Sequence, residues 1–223
     1  MRLKSALRRG VAAAVIAGIV VSSGIPAYAK TWDIASGDIT VKGASDESGN
    51  YNEVKQGDKG FEKDEGETVI TGESEEHTVT IDTSKGNVDV TFDDLKIDVS
   101  GKKEGDGSGD GPARESKAAV TVQGGGDATI ELDGKNELKS GSCKAGLEKD
   151  DEMSEDGETI SGKLTIKDDK GKDGSLTAEG GEGGAGIGGG KESTGSSITI
   201  RGGAVKAVGG SNAAGIGDGA GRA

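Results

Sequence analysis

The chain has 223 residues, with 27 Lys and Arg against 40 Asp and Glu, 43 Gly, one Trp, two Tyr, two Phe, one His and one Cys. A formal net charge of −13 argues against nucleic acid or anionic lipid as a partner unless cations bridge the two. One histidine leaves little material for His-based catalysis and no zinc-ligand cluster, and the lone Cys143 excludes an internal disulfide.

In chain order, residues 1–29 read as a cleaved signal peptide. Arg2, Lys4, Arg8 and Arg9 form a basic start, Val11 to Val21 an apolar run, and Ala27-Tyr28-Ala29 a small-x-small cleavage site. The apolar run is short for a bilayer span. The expectation is an exported chain starting at Lys30, secreted or held at the cell surface, with no membrane insertion after cleavage. Losing four bases leaves 23 bases against 40 acids, a formal −17. In residues 30–223, Leu, Ile, Val and Phe number 31 of 194, below about 20 %, a composition that by itself points to disorder. The order of the residues points the other way, because the few apolar ones alternate in short runs.

Residues 30–77 read as an N-terminal cap and loop. Trp32, Ile34, Ile39 and Val41 suit an opening strand pair, with Trp32 as a plug over one end of the core. Residues 44–66 read as loop, with Tyr51 and Phe61 as isolated anchors. From residue 78 apolar and polar residues alternate with period two: Val79 and Ile81; Val88, Val90 and Phe92; Leu95, Ile97 and Val99. A charged, Gly-rich loop then runs from Gly101 to about Ser116.

The pattern returns. Val120 and Val122 lie 41 residues after Val79 and Ile81, and Ala128, Ile130 and Leu132 lie 40 after Val88, Val90 and Phe92. Leu164 and Ile166 are placed 34 after Ile130 and Leu132, with Ile198 and Ile200 a further 34 on. A third column runs through Ala145-Gly146-Leu147, Ala185-Gly186-Ile187 and Ala214-Gly215-Ile216, and the two Ala-Gly-Ile-Gly phrases at 185–188 and 214–217 are near-copies. Short strands, Gly, Asp and Asn turns and coils of about 30–40 residues predict an all-β, parallel β-helix over 78–223. An antiparallel β-sandwich is the alternative, and it does not explain the repeats. The repeats run on to Ala223 with no polar capping sequence, so this block reads as truncated, capped by a partner, or simply short.

Trp32-Asp33-Ile34-Ala35-Ser36-Gly37-Asp38-Ile39-Thr40-Val41, Leu138-Lys139-Ser140-Gly141 with Ala145-Gly146-Leu147, and the Ala-Gly-Ile-Gly repeats together resemble bacterial surface carbohydrate-binding domain proteins. Those proteins have a pectate-lyase-like parallel β-helix of the polygalacturonate-binding type. The resemblance covers nearly all of residues 30–219. It implies a right-handed single-stranded solenoid and a non-catalytic role on a polysaccharide at the cell exterior.

His77 reads as a solvated residue at a strand start, and Gly-rich 180–190 as turns, because it lacks the Gly-Lys-Ser/Thr ending of a phosphate loop. Asp106–Gly111 and Asp169–Gly174 copy the start of an EF-hand loop but have Lys117 and Gly180 where the twelfth-position Glu belongs, so both read as acidic turns. Stacking Phe92, Leu132, Ile166 and Ile200 as one inward column sets Asp93, Asp133, Lys167 and Arg201 in one outward file. Asp93 and Asp133 repel unless a cation intervenes, and Asp94 is near enough to share it, making these three the candidate calcium ligands. Lys167 and Arg201 are the candidate grip for a uronate carboxylate. The expected partner is an acidic, polygalacturonate-like polysaccharide bridged by calcium. The alternatives are a structural adhesin segment and a polysaccharide lyase.

Overall fold

The structure is a computed structural model, and it describes residues 29–47, 49–101, 116–150, 152–153, 156–171 and 173–221. The expectations for residues 1–28 and for Asp106–Gly111 lie outside the described residues. The chain opens with β1 (Lys30–Asp33), a 3-10 turn at Ile34–Ser36, β2 (Ile39–Asp46), β3 (Gly49–Gln56) and β4 (Glu62–Asp64). Next come β5 (Thr68–Ser74), β6 (Val79–Asp82), β7 (Val88–Asp98) and β8 (Val120–Gln123). β9 (Ala128–Asp133), β10 (Lys135–Lys139) and β11 (Leu147–Lys149) complete the next coil. A small antiparallel pair, β12 (Glu152–Met153) with β13 (Thr159–Ile160), follows. The last two coils are β14 (Leu164–Lys167), β15 (Ser175–Glu179) and β16 (Ile187–Gly188), then β17 (Ile198–Ile200), β18 (Ala204–Val208) and β19 (Ile216–Gly217).

These strands stack as a parallel β-solenoid with three faces. The first face is β1-β5-β7-β9-β14-β17, the second β7-β10-β15-β18, and the third β2-β6-β8-β11-β16-β19. β7 belongs to two faces because it continues through a corner at Asp94, where φ is +50°. In this arrangement the backbone N–H groups of each strand bond alternately to the coil before and the coil after, so ladder bonding runs the length of the molecule. Val79 N bonds to Ala119 O at 3.0 Å, Leu147 N to Gly186 O at 3.0 Å and Ile187 N to Gly215 O at 2.9 Å.

The interior is a set of apolar files, one side chain per coil. On the third face Ile39, Val79, Val120, Leu147 and Ile187 are buried in register, and Ile216 ends the file exposed. On the first face Trp32, Ile70, Phe92 and Leu132 are likewise buried in register. Trp32 is therefore the plug, buried at the end of its file and donating from Nε1 to Asp64 Oδ2 at 3.0 Å. The Ala-Gly-Ile-Gly phrase has a steric basis. A Cβ on Gly186 would lie 2.5 Å from Val208 N and 2.6 Å from Gly215 O, and Gly188 and Gly217 have φ of +131° and +120°, a region that favours glycine.

Two expectations need correction. Residues 44–66 are largely not loop: β3 pairs antiparallel with β2 along Ile39–Asp46, and β4 pairs with β3. The amide residues of β3 hid it, since its buried side is Asn52, Val54 and Gln56, of which only Val54 is apolar. The parallel columns likewise begin at Lys30, not at residue 78. Second, Ile166 pairs with Ile130, 36 residues away, and not with Leu132. A two-residue slip keeps every side chain on its own face, so alternation cannot detect it.

Candidate functional site

The slip redraws the outward charges of the first face. Lys167 lies opposite Glu131, which lies opposite Thr91, while Asp93 pairs with Asp133 two residues further along the strands. Arg201 follows Ile200, the partner of Ile166, and its backbone N bonds to Ile166 O at 2.8 Å. The expected single file of Asp93, Asp133, Lys167 and Arg201 is thus two files, one of Thr91, Glu131, Lys167 and Arg201, the other of Asp93 and Asp133.

Asp93 and Asp133 each have a pKa above the ordinary value of 3.8. Burial is the first cause for both; Asp133 and Asp94 then raise Asp93, and Asp173 raises Asp133. Asp94 Oδ1 accepts from Lys135 N at 2.8 Å, which turns its carboxylate to the corner of the next coil. Among the described residues no three His, Cys, Asp or Glu side chains converge on a point that would hold a metal ion.

Sequence reasoning missed a cleft of about 410 Å³ between the β2–β3 hairpin and the first face. Asn50, Tyr51 and Asn52 of β3 form one wall; Asp89, Thr129 and Glu131 of β7 and β9 lie on the face, with Lys167 and Lys170 beyond. Alternation puts Asp89, Thr129 and Glu131 outward, and the antiparallel hairpin sets Tyr51 across from Ala44. Glu131 is 3 % exposed. Its Oε1 accepts from the backbone N of Asp169 at 2.7 Å and of Lys170 at 2.8 Å. Its Oε2 is buried against Lys167 Nζ at 3.2 Å as an ion pair. Lys167 also donates to Asp169 Oδ2 at 3.0 Å, and these carboxylates, Asp169 first, hold its pKa above 10.5. Lys170 reaches Glu67, which also accepts from the Thr91 hydroxyl. Asn52 Nδ2 donates to Thr68 Oγ1 at 2.9 Å and to Asp89 O at 2.7 Å.

A signal for this site was present. Ala128-Thr129-Ile130-Glu131, Leu164-Thr165-Ile166-Lys167 and Ile198-Thr199-Ile200-Arg201 share the phrase apolar-Thr-Ile-charged, which aligns Glu131 with Lys167 and Arg201. Elsewhere, His77 is half-buried ahead of β6, 3.6 Å from Asp38 Oδ1, and Cys143 is a free, exposed thiol. Comparison with family models, with curated proteins and with solved structures finds no match.

Proposed function

We propose that this protein is a non-catalytic carbohydrate-binding solenoid, secreted or associated with the cell surface, that lies along a polysaccharide with its first face. The observation that carries the reading is the cleft on that face. It is in the size range of small-molecule sites, walled on one side by Tyr51 and two amide side chains and lined elsewhere by fixed charges. Successive coils lie about 4.8 Å apart, so a polymer crossing them meets a fresh set of outward side chains at nearly every sugar. Arg201 is exposed and, among the described residues, joins no ion pair, so its guanidinium is available to a uronate carboxylate. Calcium enters this proposal as a bridge between the Asp93–Asp133 pair, with Asp94 beside it, and an acidic sugar.

The same geometry speaks against a polysaccharide lyase. A lyase here would draw its base from Lys167 or Arg201 beside Asp133, and Asp169 and Glu131 hold the Lys167 pKa above its ordinary value, whereas a proton-abstracting lysine needs its pKa brought down. A structural adhesin segment remains the reading to beat, because among the described residues Tyr51 is the only aromatic side chain lining the cleft.

The test is retention of the purified protein on a panel of neutral and acidic polysaccharides, polygalacturonate included, with calcium and again with chelator. Retention supports binding, and its loss with chelator supports the calcium bridge. Arg201→Ala is expected to weaken acidic-glycan binding about tenfold, the size of one lost charge-assisted contact, with an unchanged circular dichroism spectrum. A folded protein that retains none of the panel is a spacer.

A further inference from the structure

We infer that the C-terminal end of the solenoid is an interface between two copies of this chain, stacked end to end about a two-fold axis. The observation is an apolar core that stops at an open cross-section. Ile198 and Ile200 stack on Leu164 and Ile166, Val205 and Ala207 on Leu176 and Ala178, and Ile216 on Ile187. The five inner partners are fully buried. The five that end the files are not: Ile200 is 39 % and Ile216 49 % exposed, and Ile198, Val205 and Ala207 are only partly buried. β17, β18 and β19 are also each paired along one edge only, which leaves backbone N–H and C=O groups open on three sides of the apolar centre. An unpaired edge of this kind is a template for another strand, and exposed apolar surface rimmed by polar groups marks an interface.

What fits this end is another coil of the same outline, since three edges must find strands set at the same three angles at once. Among the described residues the chain offers one such end. At the N-terminal end the files finish in Trp32 and Ile34, both buried, and β3 and β4 extend the third face past β2. Charge points the same way. Residues 196–221 carry Arg201, Lys206 and Asp218, a formal +1 in a chain of −13, so two of these ends meet without the repulsion that the acidic remainder would impose. A two-fold axis across the solenoid sets each terminal strand antiparallel to a strand of the second copy, apolar centre on apolar centre, and closes the assembly at two. A face of five residues is roughly 17 Å long, so the contact is small beside a standard interface of about 1,600 Å². The dimer is therefore expected to be reversible, with a dissociation constant in the micromolar range.

The experiment is sedimentation equilibrium of the purified protein from about 1 μM to about 500 μM, with amide hydrogen exchange at both ends of that range. The inference expects a monomer–dimer equilibrium, and protection of β17, β18 and β19 that grows with concentration. Ile216→Lys and Ile200→Lys, each checked by circular dichroism, are expected to raise the dissociation constant at least about tenfold. Phe61→Ser, at an exposed apolar residue ahead of β4, is expected to leave it unchanged. The exchange pattern of the unaltered protein carries the test even where a lysine loosens the last coil. A protein that stays monomeric up to about 500 μM overturns the inference. So does a dimer whose concentration-dependent protection falls outside the last coil, and so does assembly that grows past two, which is head-to-tail stacking.

Discussion

Asp93 and Asp133 show what one register pair does to stability. Their carboxylates are adjacent across β7 and β9, partly buried, and raised above 3.8 by burial and by neighbouring acids. A raised folded-state pKa means that the native state holds the proton more tightly than the unfolded chain does. The stability it contributes is complete below the ordinary aspartate value and is lost as pH rises through the raised one. Asp93→Asn is therefore expected to leave stability near pH 3 unchanged and to raise it at pH 7 by about 0.2–1 kcal/mol, the range for relieving a cross-strand like-charge pair. Urea midpoints at the two pH values check this. Asn136 works in the opposite sense. It is buried, accepts the Leu95 amide at 2.9 Å and donates to the carbonyls of Asp133 and Ser175, both at 3.0 Å, so one side chain completes the backbone bonding of three strands where the first face meets the second.

At the scale of the element, the strands are short, and turn geometry holds them in place. The first Ala-Gly-Ile-Gly phrase lies so close to neighbouring backbone that no side chain fits at Gly186, while at Gly215 a Cβ would meet Ala207 O at 3.0 Å. Gly186→Ala would drive a methyl to 2.5 Å from Val208 N and 2.6 Å from Gly215 O, both backbone atoms. We expect it to cost about 1–3 kcal/mol, as overpacking does, and to loosen the last coil first. Amide hydrogen exchange should show the loss of protection concentrated in β16, β18 and β19. The β2–β3 hairpin is the element that turns a plain solenoid face into a cleft. Its register, Ala44 opposite Tyr51 and Lys42 opposite Glu53, sets the Tyr51 wall beside the acceptors of the first face.

For the whole molecule, the net charge is −13, and among the described residues most of the strand pairing is between coils and parallel. The interior files are narrow, so long-range backbone bonding and stacked Val, Ile and Leu together stand in for a wide apolar core. Self-repulsion of the excess acid opposes that arrangement. Most of the ion pairs are exposed and contribute little; an exception is Lys144–Glu148 at 2.9 Å, whose carboxylate is 4 % exposed. Raising the salt to about 1 M shortens the screening length to about 3 Å and should raise the melting temperature, the relief of repulsion outweighing the loss of surface pairs. A fall in melting temperature would mean that the surface pairs matter more than their exposure allows.

The sequence by itself determined the fold class. Period-two alternation fixed which side chains face inward, and recurrence at 41, 40 and 34 residues fixed the stacking of β6 on β8, β7 on β9, and β14 on β17. Those signals are local, and a steric rule lies behind each. The pairing of Ile166 with Ile130 was decided only by the tertiary structure, because slips of two residues are degenerate in an alternating pattern. Tertiary structure also placed Glu67, Glu131 and Lys170 around one cavity. Lys170 and Glu67 are 103 residues apart, and neither belongs to a local motif. Their meeting follows from coils stacked in space, where each turn of the chain returns to within about 4.8 Å of the one before.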